Sequence, residues 1–189
     1  ALLCGILSLL MLVTHGAAIL AWRVVNPVAD RARKLGIFSA LLVAIVFALG
    51  GIWVANLDGH VITSVMDTAG PSNPLNKAVV LEQGAWLANF ERWSWMWAAP
   101  GLGVVAALGA SLLLLMRRPV LAFFASALSI AGIILTVGFA LFPFILPSSV
   151  NPKIGLTAWD ASSSHLTLWV MLIATIIFSP IVLSYTSYV

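Results

Sequence analysis

FPFILPSSVNPKIGLTAWDASSSHLTL, residues 142–168, ends one long apolar run, makes a polar turn and begins another apolar run. Because proline lacks a backbone donor and crowds the preceding turn, we expect Pro143 to kink a membrane helix and Pro147 to end it. Asp160 and the serines at 162–164 supply side-chain acceptors for the amides that begin the final helix. The stretch therefore predicts an exit from a membrane, a polar turn and a re-entry.

The composition agrees with a membrane protein. The chain has 189 residues, of which 62% are hydrophobic and 8% charged, and its mean hydropathy is +1.11. Soluble domains carry about one quarter charged residues. The basic residues stand in short clusters between apolar runs, which excludes a nucleic-acid-binding face. A single cysteine, Cys4, forms no internal disulfide and has no metal-ligand spacing.

Five apolar runs are long enough to cross a hydrocarbon core of about 30 Å, which takes roughly 20 helical residues. None contains Asp, Glu, Lys or Arg between its ends. We predict an all-α, polytopic membrane helix bundle, a single unit over residues 1–189, with about five transmembrane helices. The predicted spans are Leu2–Trp22, Ile37–Asn56, Trp93–Met116, Val120–Leu146 and Leu166–Val189.

Lys and Arg predict the orientation of the helices. The first link, 23–36, carries four basic residues, and the third is only Arg-Arg-Pro at 117–119. An excess of Lys and Arg places both links in the cytoplasm. The links 57–92 and 147–164 are then extracytoplasmic.

Two further patterns concern packing and the membrane surface. Trp93, Trp95 and Trp97 are interpreted as anchors at the outer interface. Small residues at every fourth position allow close approach of helix backbones. They are Ala40, Ala44 and Ala48 in the second run, and Ala99, Gly103, Ala107 and Ser111 in the third.

The long link 57–92 should be partly ordered. Residues 71–74, Pro-Ser-Asn-Pro, predict a turn, and residues 78–90 predict a short helix lying on the membrane. Lys77 and Glu82 are interpreted as surface or interface charges.

Both ends of the chain are predicted to be cut from a longer protein. The first apolar run starts at Ala1 without a charged leader, and the last reaches Val189 without a basic flank.

His15 is the ionisable residue placed deepest in an apolar run. It precedes Arg23 by eight residues, which is about 12 Å along a helix. It is a candidate for a proton path, and the alternative is a neutral imidazole bonded to a neighbouring helix. The same alternative holds for His165, whereas His60 in the long link is expected to be solvated.

Asp160 is the outer acid with the clearest candidate role. It could contribute to a proton exit or a subunit contact, or it could cap the last helix, where its charge meets the positive end of the helix dipole.

Three stretches carry a family resemblance over the whole chain: Ser-Asn-Pro-Leu-Asn-Lys at 72–77, Gly-Ala-Trp-Leu-Ala-Asn-Phe at 84–90, and the stretch 142–168. Together and in this order they resemble subunit II of the cytochrome bd family of quinol oxidases, including its cyanide-insensitive branch. A full subunit of this family is about twice as long, so the resemblance implies its C-terminal half.

The resemblance implies a complex in a bacterial or archaeal cytoplasmic membrane that oxidises quinol, reduces dioxygen to water and generates a proton gradient. It places haem b and haem d in a partner, subunit I, and assigns no catalytic residue and no metal to this chain. Small accessory subunits and lipid are further expected partners. Some family members hold a structural quinone in subunit II, for which Trp86, Asn89, Phe90 and Trp93 are the candidate contacts here.

Two other functions remain open at this point. Helices interrupted by proline are typical of secondary transporters, although ion coupling usually needs acidic residues within the membrane. A purely structural membrane subunit needs neither a site nor a pathway.

Overall fold

The computed structural model describes residues 2–25, 27–65, 73 and 75–188. Most of these residues are helical, and two pairs of short strands lie in the links. The chain divides into two compact units: residues 1–61 with 81–142, and residues 62–80 with 143–189. The elements are α1 (Leu2–Arg23), α2 (Val28–Val54), β1 (Asp58–Ile62), β2 (Val79–Gln83), α3 (Ala88–Arg92), α4 (Ala98–Leu115), α5 (Pro119–Leu141), β3 (Phe144–Leu146), β4 (Leu156–Thr157), α6 (Ala158–Ala161) and α7 (His165–Tyr188).

In the described part of the chain, five helices are long and apolar enough to cross a membrane, which confirms the predicted number and the all-α class. They span Leu2–Arg23, Val28–Val54, Ser94–Leu115, Pro119–Leu141 and His165–Tyr188. The second helix begins nine residues earlier than predicted, so most of the basic residues of the first link lie on its first turns. The basic residues mark where the apolar run begins, near Ile37, but the helix itself begins earlier, at Val28.

The first unit is a four-helix bundle. Helix α1 packs against α2 and α5, and α4 packs against the same two helices, which closes a ring of four. Its buried hydrophobic clusters consist of small and medium side chains: Leu7, Val43, Ala44, Ala107 and Ile133 in one, and Ala18, Leu114 and Ala122 in the other. The small residues predicted to face neighbouring helices are buried, apart from Ala48, which is exposed.

Helices α4 and α5 come closest where glycine faces backbone. A Cβ atom on Gly132 would lie 2.6 Å from the backbone N of Gly103 and 2.9 Å from the carbonyl oxygen of Ala99. Such distances are well inside van der Waals contact, and a backbone cannot rotate away as a side chain can. The α4–α5 contact therefore requires glycine at position 132.

The link between α4 and α5 is a tight helical turn. Arg117 has a left-handed φ of 56°. The amide of Arg118 donates to the Leu113 carbonyl at 2.8 Å, and that of Arg117 donates to the Leu114 carbonyl at 3.1 Å. This pair of bonds is the Schellman motif, which satisfies the last carbonyls of a helix. Pro119 then begins α5 at a position where no amide donor is needed.

The link between α2 and α4 differs from the prediction. Instead of one helix over 78–90, the chain forms strand β2, which pairs with β1, and then a 3₁₀ turn at Ala85–Leu87 and the short helix α3. Gly84 separates strand from turn with a φ of 76°, a conformation that glycine adopts without strain. The turn predicted at 71–74 falls mainly on residues outside the described part of the chain.

The second unit contains β3, β4, α6 and α7, and β3 pairs antiparallel with β4. Pro143 does not kink a helix, because α5 ends at Leu141 and Phe142 is already extended with ψ of 132°. The residue before a proline is pushed out of the helical region, which explains the earlier end. None of the side chains described in α7 is buried.

Candidate functional site

Trp86 lies on the 3₁₀ turn and is held from two directions. Its indole Nε1–H donates to the backbone oxygen of Asp58 at 3.1 Å. Its ring lies 5.4 Å from the imidazole of His60, centroid to centroid. His60 is therefore half-buried against an aromatic ring, and the expectation that it is simply solvated was wrong.

Asn89 fastens the end of α5. Its side-chain Nδ2 donates to the carbonyl oxygen of Phe139 at 2.8 Å and to that of Phe142 at 2.5 Å. An amide nitrogen carries two hydrogens, so both are used. The side chain thereby satisfies carbonyls at a helix end that lack helical partners.

The other two candidate quinone contacts differ in exposure. Phe90 is 1% exposed and packs 5.2 Å from the Trp97 ring, whereas Trp93 is 51% exposed. A quinone carbonyl accepts hydrogen bonds and needs a donor. The side-chain N–H groups of Asn89 and Trp86 already donate to backbone oxygens. Within the described residues, no hydrogen bond involves the Trp93 indole. Of the four residues, only Trp93 therefore keeps an N–H for a headgroup.

His15 is bonded within the bundle. Its Nδ1 lies 2.8 Å from Ser126 Oγ on α5, and its ring stacks 4.6 Å from that of Phe123. Ser126 Oγ in turn donates to the Phe123 carbonyl oxygen at 2.7 Å. This arrangement matches the predicted alternative, an imidazole bonded to a neighbouring helix.

A second polar pair lies nearby. Thr14 Oγ1 and Ser39 Oγ are 2.9 Å apart across α1 and α2. A cavity of about 10 Å³ is lined by Thr14, Ser126 and Ser129 among others, which is at the lower limit for one water molecule. No direct hydrogen bond among the described side chains joins this pair to His15. Among the described side chains, the bundle therefore contains two short polar pairs that no direct hydrogen bond connects.

Asp160 forms a buried ion pair in the second unit. Lys77 Nζ lies 2.6 Å from Asp160 Oδ2, and their side chains are 0% and 5% exposed. Thr157 Oγ1 and the Thr157 amide also donate to Oδ2, at 2.7 and 3.2 Å. Lys77 is thus a buried partner, and its interpretation as a surface or interface charge was wrong.

The helix that Asp160 caps is not the final one. The Asp160 amide donates to Thr157 Oγ1 at 3.3 Å, so Thr157 and Asp160 form a reciprocal capping box for the four-residue helix α6. At the start of α7 the side-chain acceptor is Ser164, whose Oγ accepts from the Thr167 amide at 3.4 Å. Of the three serines predicted to serve the final helix, Ser164 does so, whereas Ser162 Oγ donates to the Trp159 carbonyl oxygen at 3.2 Å. The proposed role of Asp160 at the final helix was wrong.

The electrostatic state of Asp160 follows from these contacts. Burial raises the pKa of its carboxyl group, but the hydrogen bonds from Lys77, the Thr157 hydroxyl and the Thr157 amide, with the Lys77 charge, outweigh burial and lower the pKa below its ordinary value. The carboxylate is therefore ionised near neutral pH.

Sequence reasoning missed the Lys77–Asp160 pair because the partners are 83 residues apart. Each lies in one of the three stretches that carry the family resemblance, and this coincidence was the available signal. Among the described residues, no group of three His, Cys, Asp or Glu side chains could hold a metal ion.

The fold and these contacts define a multi-pass α-helical membrane protein whose described polar groups mainly hold the structure together. The chain belongs to the cytochrome bd terminal oxidase subunit II family, which it matches over residues 1–189. It is 46% identical over 188 residues to the cytochrome bd-I ubiquinol oxidase subunit 2 of Escherichia coli strain K12, covering 99% of this chain and 50% of that protein.

A second relative, the probable cytochrome oxidase subunit 2 of Haemophilus influenzae, is 45% identical over 186 residues. The match covers 98% of this chain and 49% of the relative. The chain thus spans about half the length of the curated relatives it matches.

Proposed function

We propose that this chain forms the C-terminal half of subunit II in a cytochrome bd-type terminal oxidase of a bacterial or archaeal cytoplasmic membrane. The complex oxidises membrane quinol and reduces dioxygen to water, and it generates a proton gradient. The observation that carries the proposal is the family match along residues 1–189, joined by a relative named as a ubiquinol oxidase subunit.

The chain's own role is to support assembly with a haem-bearing subunit I. One observation supports a structural role: the buried polar side chains of the bundle bond mainly to helix backbone. Haem b and haem d supply the redox chemistry and are assigned to the partner.

Two local roles are part of the proposal. His15, with Ser126 as its hydrogen-bond partner, is a candidate for one step of a proton route, which would need water to extend it. A structural quinone at residues 86–93 would depend on the Trp93 indole as donor. Replacing Trp93 by Phe keeps the ring and removes the N–H, so it should lower the bound quinone without loss of the complex.

The experiment that tests the proposal uses the native complex, purified through a tag on the full-length protein that contains this chain. A reduced-minus-oxidised optical spectrum is recorded, and the subunits are identified by mass. We expect haem b and haem d bands together with a haem-bearing partner. Small accessory subunits would appear as further masses in the same preparation.

Two outcomes would overturn parts of the proposal. A stable, haem-free preparation that lacks the partner and catalyses substrate uptake would favour a secondary transporter. An oxidase whose turnover and assembly survive all His15 substitutions would leave the chain a purely structural subunit.

A further inference from the structure

Most of the basic residues of this chain lie in two links of the four-helix bundle. Residues 23–36 and 117–119 hold six of the nine Lys and Arg residues, but only one of the six acids, Asp30. We refer to the six as the basic cluster. They are Arg23 at the end of α1, Arg31, Arg33 and Lys34 on the first two turns of α2, and Arg117 and Arg118 between α4 and α5.

The four helix ends that carry these residues meet at one end of the bundle. Ala18 of α1, Leu114 of α4 and Ala122 of α5 form one buried group, and Ile37 of α2 packs against it. Ser111 Oγ on α4 donates to the Ile37 carbonyl oxygen at 3.3 Å. Every member of the basic cluster is within six residues of one of these positions in the sequence, which is at most about 9 Å along a helix. The charges of the two links therefore converge.

Five members of the basic cluster have no counter-charge among the described residues. Asp30 Oδ1 lies 3.0 Å from Nη2 of Arg33. In the part of the chain that the structure describes, no carboxylate is within ion-pair distance of the other five. The five are all exposed: Arg23, Arg31, Lys34, Arg117 and Arg118. Their charges are therefore available to a partner outside the described residues.

An exposed stripe of α2 runs from the basic cluster onto apolar surface. Arg31 and Lys34 begin it. Leu35, Phe38 and Leu41 continue it and are 55%, 62% and 40% exposed. Residues three or four apart lie on the same side of a helix. The stripe therefore places cations at the end of a membrane-spanning helix and apolar side chains next to them within the span. A phospholipid has the same order, a charged headgroup followed by hydrocarbon.

We propose that the basic cluster binds the headgroups of anionic phospholipids, whose acyl chains lie along the apolar part of the α2 stripe. Guanidinium groups bind phosphate oxygens through paired hydrogen bonds, and an ammonium group adds a point charge. Groups of four to eight Lys and Arg residues at the end of membrane helices are typical of such binding. A zwitterionic lipid carries its own cation beside the phosphate, so it gains less.

Lipid is favoured over acidic side chains as the partner because headgroups surround any membrane-spanning helix at this level. An excess of Lys and Arg also orients a membrane protein, but orientation does not require the charges of two distant links to converge. The proposal goes beyond the proposed function, since it rests on the membrane-spanning fold and not on the reaction of the complex.

The test uses the native complex in nonionic detergent, with a phosphatidylglycerol that carries a photoreactive group in its acyl chain. Mass spectrometry measures crosslinks to residues 35–41 as the lipid concentration rises. Each cation near an anionic surface contributes about fivefold to the binding constant. The double variant Arg31→Gln, Lys34→Gln should therefore raise the half-saturating concentration about 25-fold. Lys153→Gln, at an exposed basic residue outside the cluster, is the matched control and should leave it unchanged.

A second double variant, Arg117→Gln with Arg118→Gln, removes two cations from the other link. It should give a similar shift, so the proposal remains testable if the first double variant does not assemble. Raising the salt from about 0.15 M to about 0.5 M should weaken labelling of the unsubstituted complex, because salt screens exposed charges.

Three results would overturn the proposal. Equal labelling by a phosphatidylcholine probe of the same design would show that the headgroup charge does not matter. Double variants that behave like Lys153→Gln would mean that acids of the same polypeptide or of another subunit already neutralise the cluster. Displacement of the probe by millimolar inorganic phosphate would indicate a site for a soluble anion. The optical spectrum of each preparation shows whether the complex has assembled and tests the oxidase assignment separately.

Discussion

The bundle and the second unit bury different kinds of polar group. Among the described residues, the buried polar side chains of the bundle are all Ser or Thr: Thr14, Ser39, Ser111, Ser126 and Ser129. The second unit buries Lys77 against Asp160, with Thr157 beside them. Hydroxyls suit the bundle because each can donate to a helix carbonyl close by, whereas an ionised group at hydrocarbon depth is expensive without a partner.

The buried polar groups of the two units also differ in how far apart in sequence their partners lie. Thr14 and Ser126 each donate to a carbonyl three or four residues earlier on their own helix. Lys77 and Asp160 are 83 residues apart, and helices α4 and α5 lie between them in the sequence. Packing of small residues should therefore dominate the stability of the bundle, and charge should dominate that of the link segments.

The largest expected effect comes from Gly132→Ala. Alanine normally favours a helix over glycine by about 1 kcal/mol, but here the added Cβ would meet the backbone of Gly103 at 2.6 Å. Overpacking of this kind costs about 1–3 kcal/mol, and we expect the upper end because backbone cannot yield. Thermal unfolding of the purified complex measures it.

Gly138→Ala is the matched control for this substitution. Gly138 lies on the same helix, and a Cβ added there would have nothing within 4 Å. The midpoint of thermal unfolding of this variant should therefore stay the same or rise slightly. Similar losses at both positions would show that close packing of α4 on α5 does not control the stability of the bundle.

Lys77→Met should give the next largest effect, this time in the second unit. It leaves the buried Asp160 without its ammonium partner, which we expect to cost about 2–3 kcal/mol. Hydrogen exchange of residues 156–161 should rise on the order of a hundredfold, with little change in the bundle helices. Adding Asp160→Asn to Lys77→Met should recover part of the loss, since partners in contact are not additive.

An exchange increase spread over α1 and α2 would instead mean that the ion pair supports the bundle. The division between charge in the link segments and packing in the helices would then be wrong.

Acid should reproduce part of the Lys77→Met effect. The pKa of Asp160 is lower in the folded protein than its ordinary value of about 4. Its contribution is therefore complete above about pH 4 and is lost as the pH falls through the lower folded value. The protection of residues 156–161 against hydrogen exchange should stay constant between pH 7 and 5 and should decrease below pH 4. An Asp160→Asn variant should show no such acid-dependent step.

Ser129→Ala should have the smallest effect. It removes the hydrogen bond of 2.8 Å from Ser129 Oγ to the Gly103 carbonyl, between α5 and α4. Hydrogen bonds between membrane helices contribute about 0.6 kcal/mol on average. A loss as large as that of Lys77→Met, measured by thermal unfolding of the complex, would contradict the view that neutral polar groups add little to this bundle.

The sequence predicted the features that depend on local composition. Five spans and the buried small residues of α4 follow from hydropathy and spacing, and both were confirmed. The end of α5 was placed five residues too late, because Phe144–Leu146 is apolar enough to continue a helix and its strand pairing with residues 156–157 is not visible locally.

The candidate sites show the same limit. His15 was identified from its position in an apolar run, but Ser126 lies 111 residues away on α5. The donors of Asn89 were assigned to a ligand before the α5 carbonyls could be seen beside them. In each case the residue was visible in the sequence, and its partner became visible only in the fold.

The tight turn between α4 and α5 has a consequence for biosynthesis. Two arginines and Pro119, the first residue of α5, join the two helices, and neither a lipid nor another helix can pass between elements joined so closely. Closing so short a loop costs little chain entropy, so the hairpin can form as soon as both segments have been synthesised. Helices α4 and α5 should therefore leave the insertion machinery together, as one preassembled pair that packs onto the earlier helices α1 and α2.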